Sequence, residues 1–360
     1  MKARDIDPTR IRGAWAGRIS GCILGKPVEV LSFEQGWEGL TIYLQDTGAL
    51  PLRDYIPLEE GSIVDRLGRS CCRGHIVRAE PDDDINYSVL ALVLLEQHGA
   101  KLATADVARA WLKMLPAGAM WTAERAAYAT LLANMTDEFV NGDEPGFDLA
   151  RCSDNPFNDW IGAQIRADVY GWVCPGRPAF AAELARRDAS LSHRGDGIYG
   201  AMFIAALGAA IPATERLDAA IDMALGEIPA DCGAALSVKF GRGIAGQEDA
   251  VEQLHREFAE LSPVHTLNNL ALVVWALCSF GGDFSAGIGN AVAAGWDTDC
   301  NAATVGALLG LSGADIPDHW TQPWAGRVGV GLAGHSELTL SDLVARTVRV
   351  GRELQEREAA

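Results

Sequence analysis

Long apolar runs, basic charge and metal-binding cysteine spacings are all scarce in this chain of 360 residues. The longest apolar run, Leu270 to Phe280, is too short to span a bilayer. The opening residues, Met1 to Pro8, lack the apolar region of a secretory signal. Lysine and arginine total 30 against 48 acidic residues, and the net charge of −18 argues against nucleic acid or an anionic membrane as partner. The eight cysteines, at 22, 71, 72, 152, 174, 232, 278 and 300, show no zinc-site spacing. Several fall inside apolar helical patterns, so reduced thiols acting as small buried groups in a cytoplasmic protein are expected. Period-2 alternation is scarce, with Leu40–Tyr43 a weak exception. No internal repeat or low-complexity linker divides the chain. These absences leave a single all-α domain over residues 1–360.

What is present supports that reading. Apolar residues make up 49% of the chain, enough for a sizeable core. Asp7 and Pro8 read as cap and first turn of a helix running to about Gly25. Gly17, Gly21 and Gly25 recur every four residues along it, clearing a groove for a second helix or a ligand. The helix ends at Lys26-Pro27, because the residue before proline avoids the helical region. Glu29 then falls on a turn or loop, where local sequence alone reads it as an exposed carboxylate. Residues 34–80 read as a long irregular connection. Helical patterns follow almost without interruption, ending with one from Leu340; fraying is expected over 356–360.

Two acidic clusters stand at the mouths of helices that are apolar all round. Asp82-Asp83-Asp84 leads into the first; Asp297-Thr298-Asp299 leads into the second. Capping and the helix dipole account for one or two such carboxylates. Three in a row at a buried mouth call for a counter-charge, and a hard divalent cation suits oxygen ligands. Three other stretches carry polar groups at helix mouths. In Asn155 to Asp168, Arg166 and Asp168 read equally as site groups or as an ion pair within one helix. His193, in Ser192 to Met202, reads locally as a structural hydrogen-bonding residue. Pro263 to Asn269 reads as a helix cap.

Taken in order, these stretches resemble the ADP-ribosylglycohydrolase family. The residues carrying the likeness are Gly21-Cys22-Ile23-Leu24-Gly25-Lys26-Pro27-Val28-Glu29, Asp82 to Asp84, Thr122 to Tyr128, Leu191-Ser192-His193 and Gly295-Trp296-Asp297-Thr298-Asp299-Cys300. The likeness runs from about Ile11 to Gly313. It implies a compact orthogonal multi-helix bundle, with a core over about 9–313 and a C-terminal helix over about 340–355. It also implies two magnesium ions in a central cleft, with manganese as a possible substitute. The family's ligand motifs fall on Asp82, Asp83, Asp84, Asp297, Asp299 and Cys300. Its mobile-loop glutamate falls on Glu29, so the resemblance turns an exposed carboxylate into a site residue. His193 falls on the family's histidine, expected to contact substrate.

The implied activity is metal-dependent hydrolysis of the ribosyl N- or O-glycosidic bond of an ADP-ribosylated protein or a small ribosylated molecule. Glu29, Asp83 and Asp299 are the expected catalytic groups; Gly162, Gln164, His193 and Trp296 are the expected substrate contacts. This chain departs from the family's pattern at several points. Asp82 and Cys300 stand where many relatives have threonine, and a thiol is a soft match for magnesium. Ile161 and Gln164 replace small residues in the segment that cradles a diphosphate, and Trp296 replaces a common glycine. Hydrolysis of small non-phosphorylated ribosides is therefore an alternative, and a catalytically inactive binder of ADP-ribose or a riboside is a second.

Overall fold

The structure, a computed structural model, describes residues 4–359 and the side chains of 4–356. Most of the stretch expected to fray therefore lies outside the described side chains. The architecture is all-helical. Among the described residues the only ladder of strands is a short antiparallel ribbon, Arg327–Gly329 against Glu337–Thr339. Leu40–Tyr43 lies within a helix instead.

The fold is built on one helix pair. The first helix, Pro8–Gly25, is capped by Asp7, whose carboxylate accepts from the Thr9 N–H at 2.8 Å. It packs antiparallel on Thr298–Ser312 along a seam of small residues. A Cβ added at Gly13, Gly17, Gly21 or Gly25 would meet the carbonyl oxygen of Gly310, Gly306, Ala302 or Thr298 at 2.4, 2.0, 2.0 and 2.3 Å. The groove expected from the glycine spacing is thus filled by a helix. Any side chain on this seam would force the backbones apart. The antiparallel register has a direct consequence: the C-terminal end of the first helix lies beside the N-terminal end of the other. Glu29 is thereby delivered to Asp297 and Asp299, and Lys26 to Asp82 beside them.

The third wall of the core is Asp83–His98, buried from Asp84 to Leu95. Arg18, fully buried in the first helix, ties the start of this helix down. It donates to the Asp84 carboxylate at 2.9 Å, to the Asp84 carbonyl at 3.1 and 3.2 Å, to the Asp168 carboxylate at 2.8 Å and to the Ile165 carbonyl. Arg166 and Asp168 are therefore not an ion pair with each other; each is committed elsewhere.

Two expectations change. Glu29 is not on a loop: it is the first residue of the helix Glu29–Asp46, and Ile63–Gly68 adds a further helix inside the expected irregular stretch. Gly36, with φ of 68°, breaks the longer helix in the middle and disrupts its periodicity. The C-terminal helix, Leu340–Ala359, belongs to the core, because Trp15 donates its indole N–H to Thr347 at 2.9 Å in the interior. One helical stretch, Gly195–Ala213, is long and apolar enough to cross a membrane, but 67% of it is buried inside the protein. The eight cysteines form no disulfide among the described residues.

Candidate active site

The two acidic mouths meet at the floor of a cavity of about 700 Å³. Lys26, Glu29, Asp82, Asp83, Asp297 and Cys300 line its polar end. Phe33, Trp121, Trp160, Ile161, Pro263 and Val264 make up much of its apolar wall. Candidate ligand atoms form three groups, each within 4.8 Å: Cys22/Asp82/Asp84, Asp84/Asp299/Cys300 and Glu29/Asp297/Asp299. Asp84 and Asp299 each belong to two groups, so the three make one continuous cluster. Asp83 lines the cavity but joins none of them. Cys22 was not expected here; its only sequence signal is its place one helical turn before Lys26, on a helix that otherwise reads as core.

Each carboxylate is placed by its backbone. Asp82 is the N-cap of its helix, accepting from the Asp84 N–H at 3.0 Å through Oδ1. Its Oδ2 pairs with the Lys26 ammonium, which also donates to the Pro81 carbonyl at 3.1 Å. Across the floor, Gly295 and Trp296 both take the left-handed conformation, with φ of 84° and 58°. That is strained for tryptophan and natural for glycine. The double bend swings Asp297 inward. Thr298 Oγ donates to the Gly25 carbonyl at 2.9 Å, and Asn269 Oδ1 accepts from Asn301 at 2.7 Å. Asn269 is itself anchored, donating to the Pro263 and His265 carbonyls at 2.7 and 2.8 Å. The polar cap at 263–269 therefore supports the site.

The electrostatics reveal what the cluster lacks. Burial, then Asp299 and Asp297, push the Glu29 carboxyl well above its usual range. Burial and neighbouring carboxylates do the same to Asp83 and Asp297. For Asp84 burial is again the larger effect and outweighs Arg18. Asp299 is pushed up to about 6 by burial and Asp82. Asp82 alone is lowered: burial opposes its ionisation, but the Lys26 ammonium prevails. Asp84 Oδ2 and Asp297 Oδ1 are buried and accept no hydrogen bond. Orphaned oxygens among crowded carboxylates match the needs of a hard divalent cation, which takes several oxygen ligands. The residues present fit such an ion.

Of the four expected substrate contacts, only Gly162 lines the cavity. Its lack of a side chain has a local cause: an added Cβ would sit 2.2 Å from Glu124 Oε1. Glu124, in the helix Ala123–Asn134, lines the cavity and is bound by Arg166 at 2.5 Å. Arg166 also donates to Asp188 at 2.5 Å and to Ser192 at 2.9 Å. His193 lies behind this network, fully buried, with Nε2 3.8 Å from Glu124 and Nδ1 2.8 Å from Ser192. Burial, then Arg166, hold it neutral. Gln164 is also fully buried, against the Gly200 side of the wall. Trp296 turns away from the cavity onto His255, ring centroids 4.4 Å apart, and Phe258. Gln164, His193 and Trp296 do not line the cavity, because each is enclosed by its own neighbours. Glu124 is the cavity group that residue-by-residue expectation missed, although it sits inside a stretch that carries the family likeness.

The helix pair, the acidic floor and the order of motifs agree with a direct comparison. The sequence model of the ADP-ribosylglycohydrolase family matches residues 3–353, and the chain belongs to that family. A solved structure described as an ADP-ribosylglycohydrolase-related protein complex shares the fold at a TM-score of 0.59 and 20% identity, covering 96% of this chain and 98% of that one. No curated protein sequence matches this chain.

Proposed function

We propose that the protein is a divalent-metal-dependent hydrolase of a ribosyl N- or O-glycosidic bond. The observation that carries this is the group Glu29/Asp297/Asp299 at the cavity floor, whose carboxylates form no ion pair among the described residues, in a chain of this family. A divalent ion such as magnesium or manganese, when bound there, would supply Lewis-acid chemistry. Asp297 and Asp299 hold it from the helix mouth, and Glu29 closes the ligand set from the opposite helix. Asp83, which lines the cavity outside the three ligand groups, is placed to orient the attacking water. Positive charge developing on the ribose is stabilised by the fixed acidic surround. The apolar wall excludes water from the aglycone side.

Within that activity, the cavity favours a small riboside lacking phosphate over an ADP-ribosylated protein. Its charged lining comprises Glu29, Asp82, Asp83, Glu124 and Asp297 against Lys26 alone, and Lys26 is engaged by Asp82. Gly162 is backed by Glu124, so the backbone there faces a carboxylate where a diphosphate would need donors. Release of free ribose from nucleosides, assayed beside release of ADP-ribose from modified protein, separates the two. Activity on nucleosides is expected. Activity only on modified protein overturns the riboside reading and keeps the hydrolase; activity on neither, with magnesium or manganese present, favours an inactive binder.

A further inference from the structure

Of the three ligand groups, Asp84/Asp299/Cys300 takes one carboxylate from each of the other two, and those two differ in how the protein has already compensated them. In Cys22/Asp82/Asp84 both carboxylates have a resident cation: Lys26 on Asp82 and Arg18 on Asp84. The third member is a buried thiol, a soft donor. Both oxygens of Asp82 are engaged, one by the Asp84 N–H and the other by the ammonium. In Glu29/Asp297/Asp299 none of the carboxylates takes part in an ion pair among the described residues. Asp84 Oδ2 and Asp297 Oδ1 are both buried without a hydrogen bond, but only Asp84 has a cation, Arg18, on its other oxygen.

From this asymmetry we infer that Lys26 is a built-in cation standing in for one of the family's two divalent ions. The site binds a single divalent ion, at Glu29, Asp297 and Asp299. The inference rests on the metal-dependent reading above. Two features hold the ammonium in place. Its residue follows the last turn of the first helix, whose position is set by the close contact of Gly25 with Thr298. It also bridges the Pro81 carbonyl and the Asp82 carboxylate, both at the opening of the neighbouring helix. A second divalent ion at Asp82 and Asp84 would have to displace it or lie against its charge. Asp82, where many relatives carry threonine, then has a specific role. The extra carboxylate is the counter-ion of the lysine, and the pair adds no net charge to the site.

The test is a titration of manganese into the metal-free full-length chain, read by equilibrium dialysis for stoichiometry and by electron paramagnetic resonance for spacing. Wild type is expected to take up one ion per chain with the hyperfine-resolved signal of an isolated ion. Lys26→Met, which keeps the stem and removes the charge, is expected to admit a second ion and show the broadened signal of a coupled pair. Lys26→Arg should restore the single ion. Asp297→Asn should bind none at this site. Two coupled ions in wild type overturn the inference and leave the proposed function standing. A folded Lys26→Met that still takes one ion also overturns it. No ion in wild type overturns the metal-dependent function and this inference with it. The wild-type count decides even if a variant fails to fold.

Discussion

The two acidic helix mouths look alike in sequence and differ in their surroundings. At Asp82–Asp84, Lys26 compensates Asp82 and Arg18 compensates Asp84 from within the protein, and Asp83 alone has no ion pair among the described residues. At Asp297–Asp299, no cation among the described residues forms an ion pair with either carboxylate, and the approach to the mouth runs through a strained Trp296. An ionised carboxylate buried without a partner costs several kcal/mol, and either a proton or a cation from outside the chain relieves that cost. The first mouth carries its own cations for two of its three carboxylates; the second carries none among the described residues.

The contrast can be broken most forcefully at Arg18. Arg18→Met leaves Asp84 and Asp168 buried without their cation, and removing one partner of a buried pair costs about 3–5 kcal/mol. Urea unfolding should register that loss, and wild-type stability would mean that the first mouth is not held by its arginine. At the second mouth, Asp297→Asn should leave folding intact by circular dichroism. Its kcat/KM should fall by about 100-fold or more, the upper range for disturbed metal sites. One step back, Asn269→Ala removes the acceptor for Asn301 and loosens the Asp297 turn. Metal affinity should weaken by about 10-fold in calorimetry.

The pH response sharpens the same comparison. Asp299 is raised from 3.8 to about 6. A carboxyl raised on folding binds its proton more tightly in the native state. The metal-free protein should therefore lose stability as pH rises between those values, with the full cost present above about 6. A divalent ion competes with that proton, so its affinity should rise through the same window, and go on rising as Glu29 and Asp297, raised further, lose theirs. Thermal melts at about pH 5 and about pH 8, with and without magnesium, test the sign: the ion should stabilise more at the higher pH. The smallest effect is expected at Trp296→Phe. Because the indole packs on His255 outside the cavity, KM for a riboside should not change. A large KM change would place an aromatic contact with substrate there after all.

Much of this was visible in the sequence. The all-helical class followed from periodicity and from the scarcity of alternation. The glycines at spacing four announced a close helix contact, and Asp7-Pro8 announced where the first helix begins. The acidic mouths and their order along the chain pointed to the family. The misses share a cause. Glu29 was placed on a loop because a proline precedes it and the Gly36 break masks the helix that follows. His193, Gln164 and Trp296 were assigned by position in a motif, and motif position does not reveal which way a side chain turns. Cys22 and Lys26 meet Asp82 only across the fold, so nothing beside them in sequence suggested their part.

By itself, then, the sequence determined which helices form and which of their ends carry charge, because caps, spacing and apolar patterning act over a few residues. Only the tertiary structure decided how those charges are compensated. Lys26 meets Asp82 across 56 positions, and Arg18 meets Asp168 across 150. Those pairings arise where the first helix and the residue after it meet the mouth of Asp83–His98 and the residue Asp168. Coulombic compensation depends on distance in space, and the chain brings these groups within a few ångströms only once its core has closed.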